Sequence, residues 1–279
     1  IPATFALRGR EFDPESAACH VIKDAGDDPD VTNGAEVHAR VALTPALSQV
    51  EREQKITITG GTGIGKVTKP GLAVPPGEWA INPVPRRMIE EAVGEVFSSH
   101  PSSLIPHVTI SIPDGEERAQ KTLNARLGIM GGLSILGTSG IVRPISAKAW
   151  TDTLDATLDV ARACGCETVV LSTGRTSEMA AQKLFDVRSS MFDVENLEPR
   201  TSNLEPLPEE AFIMMGDHVA YALDSCRRHG FERPLIACQF AKLLKIACGY
   251  ENTHRVFVHG LLMMKDGKMS KSKGNVIPV

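Results

Sequence analysis

Apolar and polar residues alternate at 37–43, 55–59 and 108–112, the period of half-buried strands. Between the second and third of these runs, residues 86–97 set Met88, Ile89, Ala92, Val93 and Val96 on one helical face. The first half therefore predicts a sheet with helical cover. After Pro144 the pattern changes. Ser146 is placed to cap a helix whose apolar stripe runs through Trp150, Leu154, Leu158 and Ala161 to Gly165. Continuous apolar runs then alternate with helical periods: strand 168–171, turn 172–175, helix 177–185, strand 212–215, Gly216-Asp217, helix 219–229, strand 235–238 and a last helix. Runs of that kind belong to a parallel sheet covered on both faces. The predicted fold class is α/β with two domains, an α+β sheet-and-helix domain over 1–145 and a Rossmann-like parallel α/β domain over 146–254.

Ligands of such parallel sheets sit beyond the carboxyl ends of the strands, near a topological switch point. That rule gathers Ser172, Thr173, Gly174, Arg175, Gly216, Asp217 and Gln239 around one crevice. Amides after Gly174 suit a carboxylate, and Asp217 suits ribose hydroxyls or an α-amino group. Spacing equally allows a plainer reading, in which the two glycines permit tight turns and Asp217 caps a helix.

At 279 residues the chain has room for two domains and a substantial core. Its formal net charge of −4 gives no electrostatic footprint for nucleic acid, no apolar run reaches a membrane span, and no secretory leader is visible. A cytoplasmic enzyme is expected. The six cysteines, Cys19, Cys164, Cys166, Cys226, Cys238 and Cys248, lack zinc-ligand spacing and suit free thiols in a reducing compartment. No metal site is expected. GxSxG, HxxxH and paired CxxC motifs are absent, which removes serine hydrolase and zinc enzyme readings.

Residues 59–87, TGGTGIGKVTKPGLAVPPGEWAINPVPRR, nearly match two nucleotide motifs and satisfy neither. Gly60, Gly65 and Lys66 have P-loop spacing, but Val67 stands where a hydroxyl must meet Mg²⁺. Gly61 and Gly63 open a dinucleotide fingerprint that fails at Lys66. What remains is a glycine turn followed by five prolines, which predicts a long ordered loop of the kind that carries function.

This stretch resembles the cobalt-precorrin-5B C1-methyltransferases (CbiD). Three further runs fit the same family: 21–34 (VIKDAGDDPDVTNG), 110–115 with 124–143 (ISIPDG, then NARLGIMGGLSILGTSGIVR), and 215–254. The likeness spans roughly 18–254. It implies an S-adenosylmethionine-dependent enzyme that methylates C1 of a cobalt-precorrin tetrapyrrole in anaerobic cobalamin synthesis. Homo-oligomerisation is left open.

The crevice derived from the strand order, with Ser172, Thr173, Gly174, Arg175, Gly216 and Asp217, is the expected site of that cofactor. Methyl transfer from a sulfonium needs alignment, and perhaps a base for a ring proton. Asp24, Asp27 and Asp28 are the candidates, in an acidic run that also reads as a divalent-metal loop or a polar turn. Corrin precursors carry many carboxylates, so Lys69, Arg86 and Arg143 are expected to meet them, with Asn82 and the small-residue turn Thr138-Ser139 nearby. Lys23, Arg87 and Arg126 lie in or beside the same motifs.

The two ends depart from the family. Its Thr-, Gly- and Ala-rich opening segment does not precede Ile1, and residues 255–277 instead resemble the KMSKS segment of class I, methionyl-like aminoacyl-tRNA synthetases, through Lys268, Met269, Ser270, Lys271 and Ser272. The 255–279 tail is therefore expected to be a fusion scar, either surface-attached or disordered. Two alternatives accompany the methyltransferase reading, an inactive truncated relic joined to a synthetase fragment and an ATP-binding synthetase fragment. Residues 193–208, with NLEP repeated at a seven-residue interval, are expected to form a flexible surface insert, and 44–54 an exposed hairpin excursion.

Overall fold

The computed structural model describes residues 6–26, 30–45, 56–99, 104–137, 147–186, 206–249, 263–264 and 267–268. The first half is built on five strands. These are β1 (Arg8–Phe12), β2 (Ser16–Ile22), β3 (Glu36–Pro45), β4 (Thr57–Gly60) and, after a two-residue β5 (Lys66–Val67) and helix α1 (Pro83–Ser99), β6 (Leu104–Ser111). Their order across the sheet is β1-β2-β3-β6-β4. All pairings are antiparallel except β4 with β6.

Period-two patterning decides what each face does. Val37, Ala39 and Val41 of β3, Val108 and Ile110 of β6 and Ile58 of β4 point to one side, where Ile89 and Val93 of α1 close over them. Register partners on the other side are mostly polar, with the apolar Ala18, Ile22 and Ala42 among them. The helix covers with a narrower face than its sequence suggests, because Met88 and Val96 are 41% and 60% exposed.

The glycine stretch packs into this core. Gly61, Ile64 and Gly65 donate their amides to the carbonyls of Ile110, Gly61 and Leu133, and Gly63 accepts from Leu133. Gly63 has φ +74°, and a Cβ there would sit 1.8 Å from the Ile112 carbonyl oxygen. Gly115, at the start of the short helix α2 (Gly115–Ala119), and Gly132, just after β7 (Ile129–Met130), lie against the same peptide. The segment is a glycine-to-glycine backbone contact, and it leaves no ring of free amides for a phosphate. Its sequence likeness to nucleotide loops is thereby explained structurally.

The second half runs α3 (Ala147–Ala163), β8 (Val170–Ser172), α4 (Arg175–Asp186), a 3₁₀ turn at Glu209–Ala211, β9 (Phe212–Met214), α5 (Val219–Arg228), β10 (Leu235–Ala237) and α6 (Phe240–Ala247). The three strands are parallel, in the order β10-β8-β9. Leu154, Leu158 and Ala161 of α3 pack with Leu171, Ile213, Met215, Ala222 and Phe231 in one buried cluster. Each fully buried Leu or Phe contributes about 1.5–3 kcal/mol of transfer free energy. Asp155 ties α3 to α5, accepting hydrogen bonds from Tyr221 Oη at 2.7 Å and from Ser225 Oγ.

The halves meet through charge. Lys69 Nζ lies 2.7 Å from Glu210 Oε1. Arg126 Nη2 donates to the Phe212 carbonyl at 2.5 Å and sits 2.6 Å from Glu178 Oε1. One Nη2 hydrogen is directed at the carbonyl and neither is aligned with Glu178 Oε1, so the approach to Glu178 is charge attraction without an aligned hydrogen bond. Arg175 Nη1 reaches the other Glu178 oxygen at 3.1 Å.

A mixed α/β fold with a separate parallel sheet therefore agrees with the sequence expectation. Among the described residues no helix is long and apolar enough to cross a membrane. Ser146, most of the 193–208 insert, the 46–54 part of the hairpin excursion and nearly all of the 255–279 tail lie outside the described residues. Of the tail, only a two-residue antiparallel ladder is described, β11 (Met263–Met264) with β12 (Gly267–Lys268).

Candidate functional site

In the parallel sheet, β8 is central and its successors lie on opposite sides, so the chain reverses its direction of progress beside β8. Ser172 ends that strand and Thr173 follows it. Ser172 is fully buried and its Oγ donates to the Ile213 carbonyl at 3.3 Å, while the Thr173 amide donates to Ala237 across the switch point. Ser172 thus stitches strands together, and a half-buried rim begins at Thr173 and becomes exposed at Arg175. A Cβ built on Gly174 would meet nothing within 4 Å, leaving the first turn of α4 open on that side.

Gly216 and Asp217 follow β9, on the other flank of β8. Gly216 has φ +60°, and Trp150 of α3 lies against it with its indole nitrogen donating to the Met215 carbonyl at 3.2 Å. Asp217 pairs with Lys242 of α6. Since α6 follows β10, this ion pair bridges the loops on either side of β8 and brings Gly216-Asp217 toward the Thr173 rim. Gln239 occupies the N-cap position of α6. Trp150 also lines, with Arg126, Phe212 and Met214, a cavity of about 40 Å³ between the halves. The crevice thus adjoins the interface.

The acidic loop is closed by its own side chains. Lys23 pairs with Asp30 and Thr32, Asn33 Oδ1 accepts from the Ala25 amide at 3.0 Å, and Arg118 Nη1 donates to the carbonyls of Val31 and Asn33. Partial burial works to raise the Asp30 pKa, but the hydrogen bonds from Lys23 and Thr32 outweigh it and hold the carboxyl below its ordinary value. Asp24 is exposed and accepts from the Gly26 amide at 2.9 Å. Asp27 and Asp28 lie outside the described residues, as do Thr138, Ser139 and Arg143.

The remaining cations expected at substrate are committed to the protein. Lys69 serves Glu210 and the Arg126 carbonyl. Arg86 donates to the carbonyls of Ile81, Trp79 and Ile58. Asn82 immediately precedes α1, its carbonyl accepting the Arg86 amide at 3.1 Å. Binding substrate through Lys69 or Arg86 would require breaking these contacts.

Sequence reasoning passed over the polar face of the first sheet. Register places Ser16, Ala18 and His20 of β2, Glu36, His38 and Arg40 of β3, His107, Thr109 and Ser111 of β6 and Thr59 of β4 on the side opposite the core. A basin of about 510 Å³ opens there, lined by His38, Arg40, Thr62, Thr109 and Ser111 among others. Arg40 Nη2 donates to Ser16 Oγ at 3.0 Å, and Ser16 in turn donates to Asp13 at 2.6 Å. The Ser16 hydroxyl and the Glu15 amide hold the Asp13 carboxyl below its ordinary pKa. The signal was present as the polar half of the strand alternation.

Residues 2–144, just over half of the chain, match the CbiD family model. The chain belongs to the CbiD family. Among its CbiD relatives, the cobalt-precorrin-5B C(1)-methyltransferase of Pelobacter propionicus is 69% identical over 261 residues, covering 91% of this chain and 65% of that protein. The protein of the same name from Geobacter metallireducens is 62% identical over 250 residues, covering 90% and 65%. The chain thus spans about 65% of the length of these curated relatives. A crystal structure of a cobalamin biosynthesis protein (cbiD) from Archaeoglobus fulgidus is 27% identical and covers 87% of this chain and 66% of that one, with a TM-score of 0.36.

Proposed function

We propose that this chain is the greater part of a cobalt-precorrin-5B C1-methyltransferase that takes its methyl group from S-adenosylmethionine. The observation that carries the reading is 69% identity over 261 residues to a protein of that name.

The crevice at the carboxyl ends of β8, β9 and β10 suits the cofactor by its donor set, in the manner of a Rossmann-like domain. First-turn amides of α4 beyond Gly174 answer the cofactor carboxylate, and Thr173 and Arg175 stand on the same rim. Asp217, oriented by Lys242, answers hydroxyl or amino groups. Bound there, S-adenosylmethionine supplies an electrophilic methyl on a sulfonium. The protein supplies alignment and exclusion of water, because effective transfer requires the reacting atoms at roughly 3–3.5 Å in line. A multiply carboxylated tetrapyrrole finds Arg40 and the hydroxyls of Thr59, Thr109 and Ser111 on the polar sheet face. Asp24, with Asp27 and Asp28 in the same loop, is proposed to take up a ring proton.

Calorimetric titration with S-adenosylhomocysteine tests the cofactor site. Saturable binding that Asp217→Ala weakens about tenfold, the loss of one charge-assisted hydrogen bond, is expected. Absent binding by a folded chain, or binding indifferent to Asp217→Ala, would remove the cofactor from this crevice.

A further inference from the structure

His20 and His38 stand directly opposite each other on β2 and β3. Glu36 precedes His38 by two residues, so all three share the polar face. Their ligand atoms lie within 4.8 Å of one another. The imidazole rings stack at 4.5 Å with an interplanar angle of 22°, and His38 Nε2 is 3.0 Å from Glu36 Oε2.

Two features fix this arrangement. Seven consecutive register pairs, from Ser16 with Ala42 to Ile22 with Glu36, lock β2 against β3. On the other flank, β1 passes so close that a Cβ on Gly9, at φ +54°, would come within 2.6 Å of His20 Nδ1. A residue with a side chain at position 9 would displace the ring.

We propose that His20, Glu36 and His38 form a binding site for one divalent transition-metal ion of the Zn²⁺, Co²⁺ or Ni²⁺ class. Two imidazoles and one carboxylate select such ions over Mg²⁺ and Ca²⁺, which prefer all-oxygen shells. Metal–ligand distances of about 2.0–2.2 Å place the donor atoms roughly 3–3.5 Å apart. His38 Nε2 and Glu36 Oε2, 3.0 Å apart, already meet that spacing, and the His20 ring stands beside them. Side-chain exposures of 37% for His38 and 50% for Glu36 leave the ion an entry path and coordination positions open to a further ligand on the polar face. This site is independent of the crevice beyond β8.

Titration of the full chain with Co²⁺, followed by visible absorption, tests the proposal. One equivalent should bind, with ligand-field bands and no thiolate-to-cobalt charge transfer, which separates this site from the free cysteines. His38→Gln and Glu36→Gln change partly exposed side chains, and circular dichroism verifies that each variant folds. His38→Gln should weaken binding at least about tenfold, and Glu36→Gln about three- to tenfold. No binding, a thiolate band, or unchanged affinity in His38→Gln overturns the assignment, and none of these outcomes bears on cofactor binding in the crevice.

Discussion

Arg126 brings its guanidinium within 2.6 Å of Glu178, a carboxylate with no exposed surface, across the junction of the two halves. The pair is asymmetric. Arg126 keeps 19% of its side-chain surface in water and has the Phe212 carbonyl as a second partner, whereas Glu178 depends on two arginines.

Removing Arg126 should therefore cost more than the pair contributes. Arg126→Ala leaves a buried carboxylate with only the exposed Arg175, and a loss of about 3 kcal/mol is expected by urea unfolding. Adding Glu178→Gln to Arg126→Ala should recover part of that loss. Equal destabilisation by the single and double variants would show that Arg126 acts through packing alone.

Gly63 admits no side chain. Gly63→Ala adds a Cβ 1.8 Å from a backbone oxygen at a positive φ, and neither neighbour is a side chain able to swing away. A destabilisation above about 2 kcal/mol is expected, read as a fall in Tm. Gly131→Ala, also at positive φ but with no atom within 4 Å of its Cβ, should cost less, and this comparison separates crowding from backbone strain.

Asp155 makes stability acid-sensitive. Its partial burial acts to raise the pKa, yet hydrogen bonds from Ser225 and Tyr221 and the nearby Arg228 bring it below the ordinary value of 3.8. The unfolded chain then binds the proton more readily than the folded one, so the contribution is complete well above pH 3.8 and is lost as pH falls through the lower folded value. The Tm difference between the native chain and Asp155→Asn should be constant above about pH 5 and shrink below about pH 4.

Burial pushes the Cys226 thiol up to about 11, and Cys166 is also buried and raised. Neither should react with a thiol reagent at pH 8 until the chain unfolds, because the thiolate is the reactive form. Cys164 and Cys248 are exposed and should be labelled in the native state, Cys164 more slowly because partial burial and the nearby Glu210 raise its thiol pKa. Mass mapping of the modified cysteines checks both statements.

Local patterning made β3, β4, β6, α1 and the whole β8-to-α6 succession legible, because each repeats within its own few residues. β2 reads SAACHVI, where small residues blur the alternation, and its place beside β3 depends on a partner the local sequence does not name. His20 and His38 were invisible as a pair for that reason. Lys69 and Arg86 looked available to substrate because their partners, Glu210 and a set of backbone carbonyls, are created by tertiary folding. Ser172, placed at the crevice by strand-end logic, turned out to be buried, whereas its neighbour Thr173 stands on the rim. The glycine stretch showed its need for small residues but not the reason, which is a backbone contact with Gly115 and Gly132.

The pairing of Val170 with Phe212 on one side and with Leu235 on the other has a consequence for how the chain can vary. The span between β8 and β9 carries α4, whose Ala181 and Phe185 pack against Val170 and Phe212, so shortening it through that helix would open the core. Deleting Leu235 and the residues after it would strip the central strand of its other neighbour, so this half of the molecule depends on synthesis being carried past position 237.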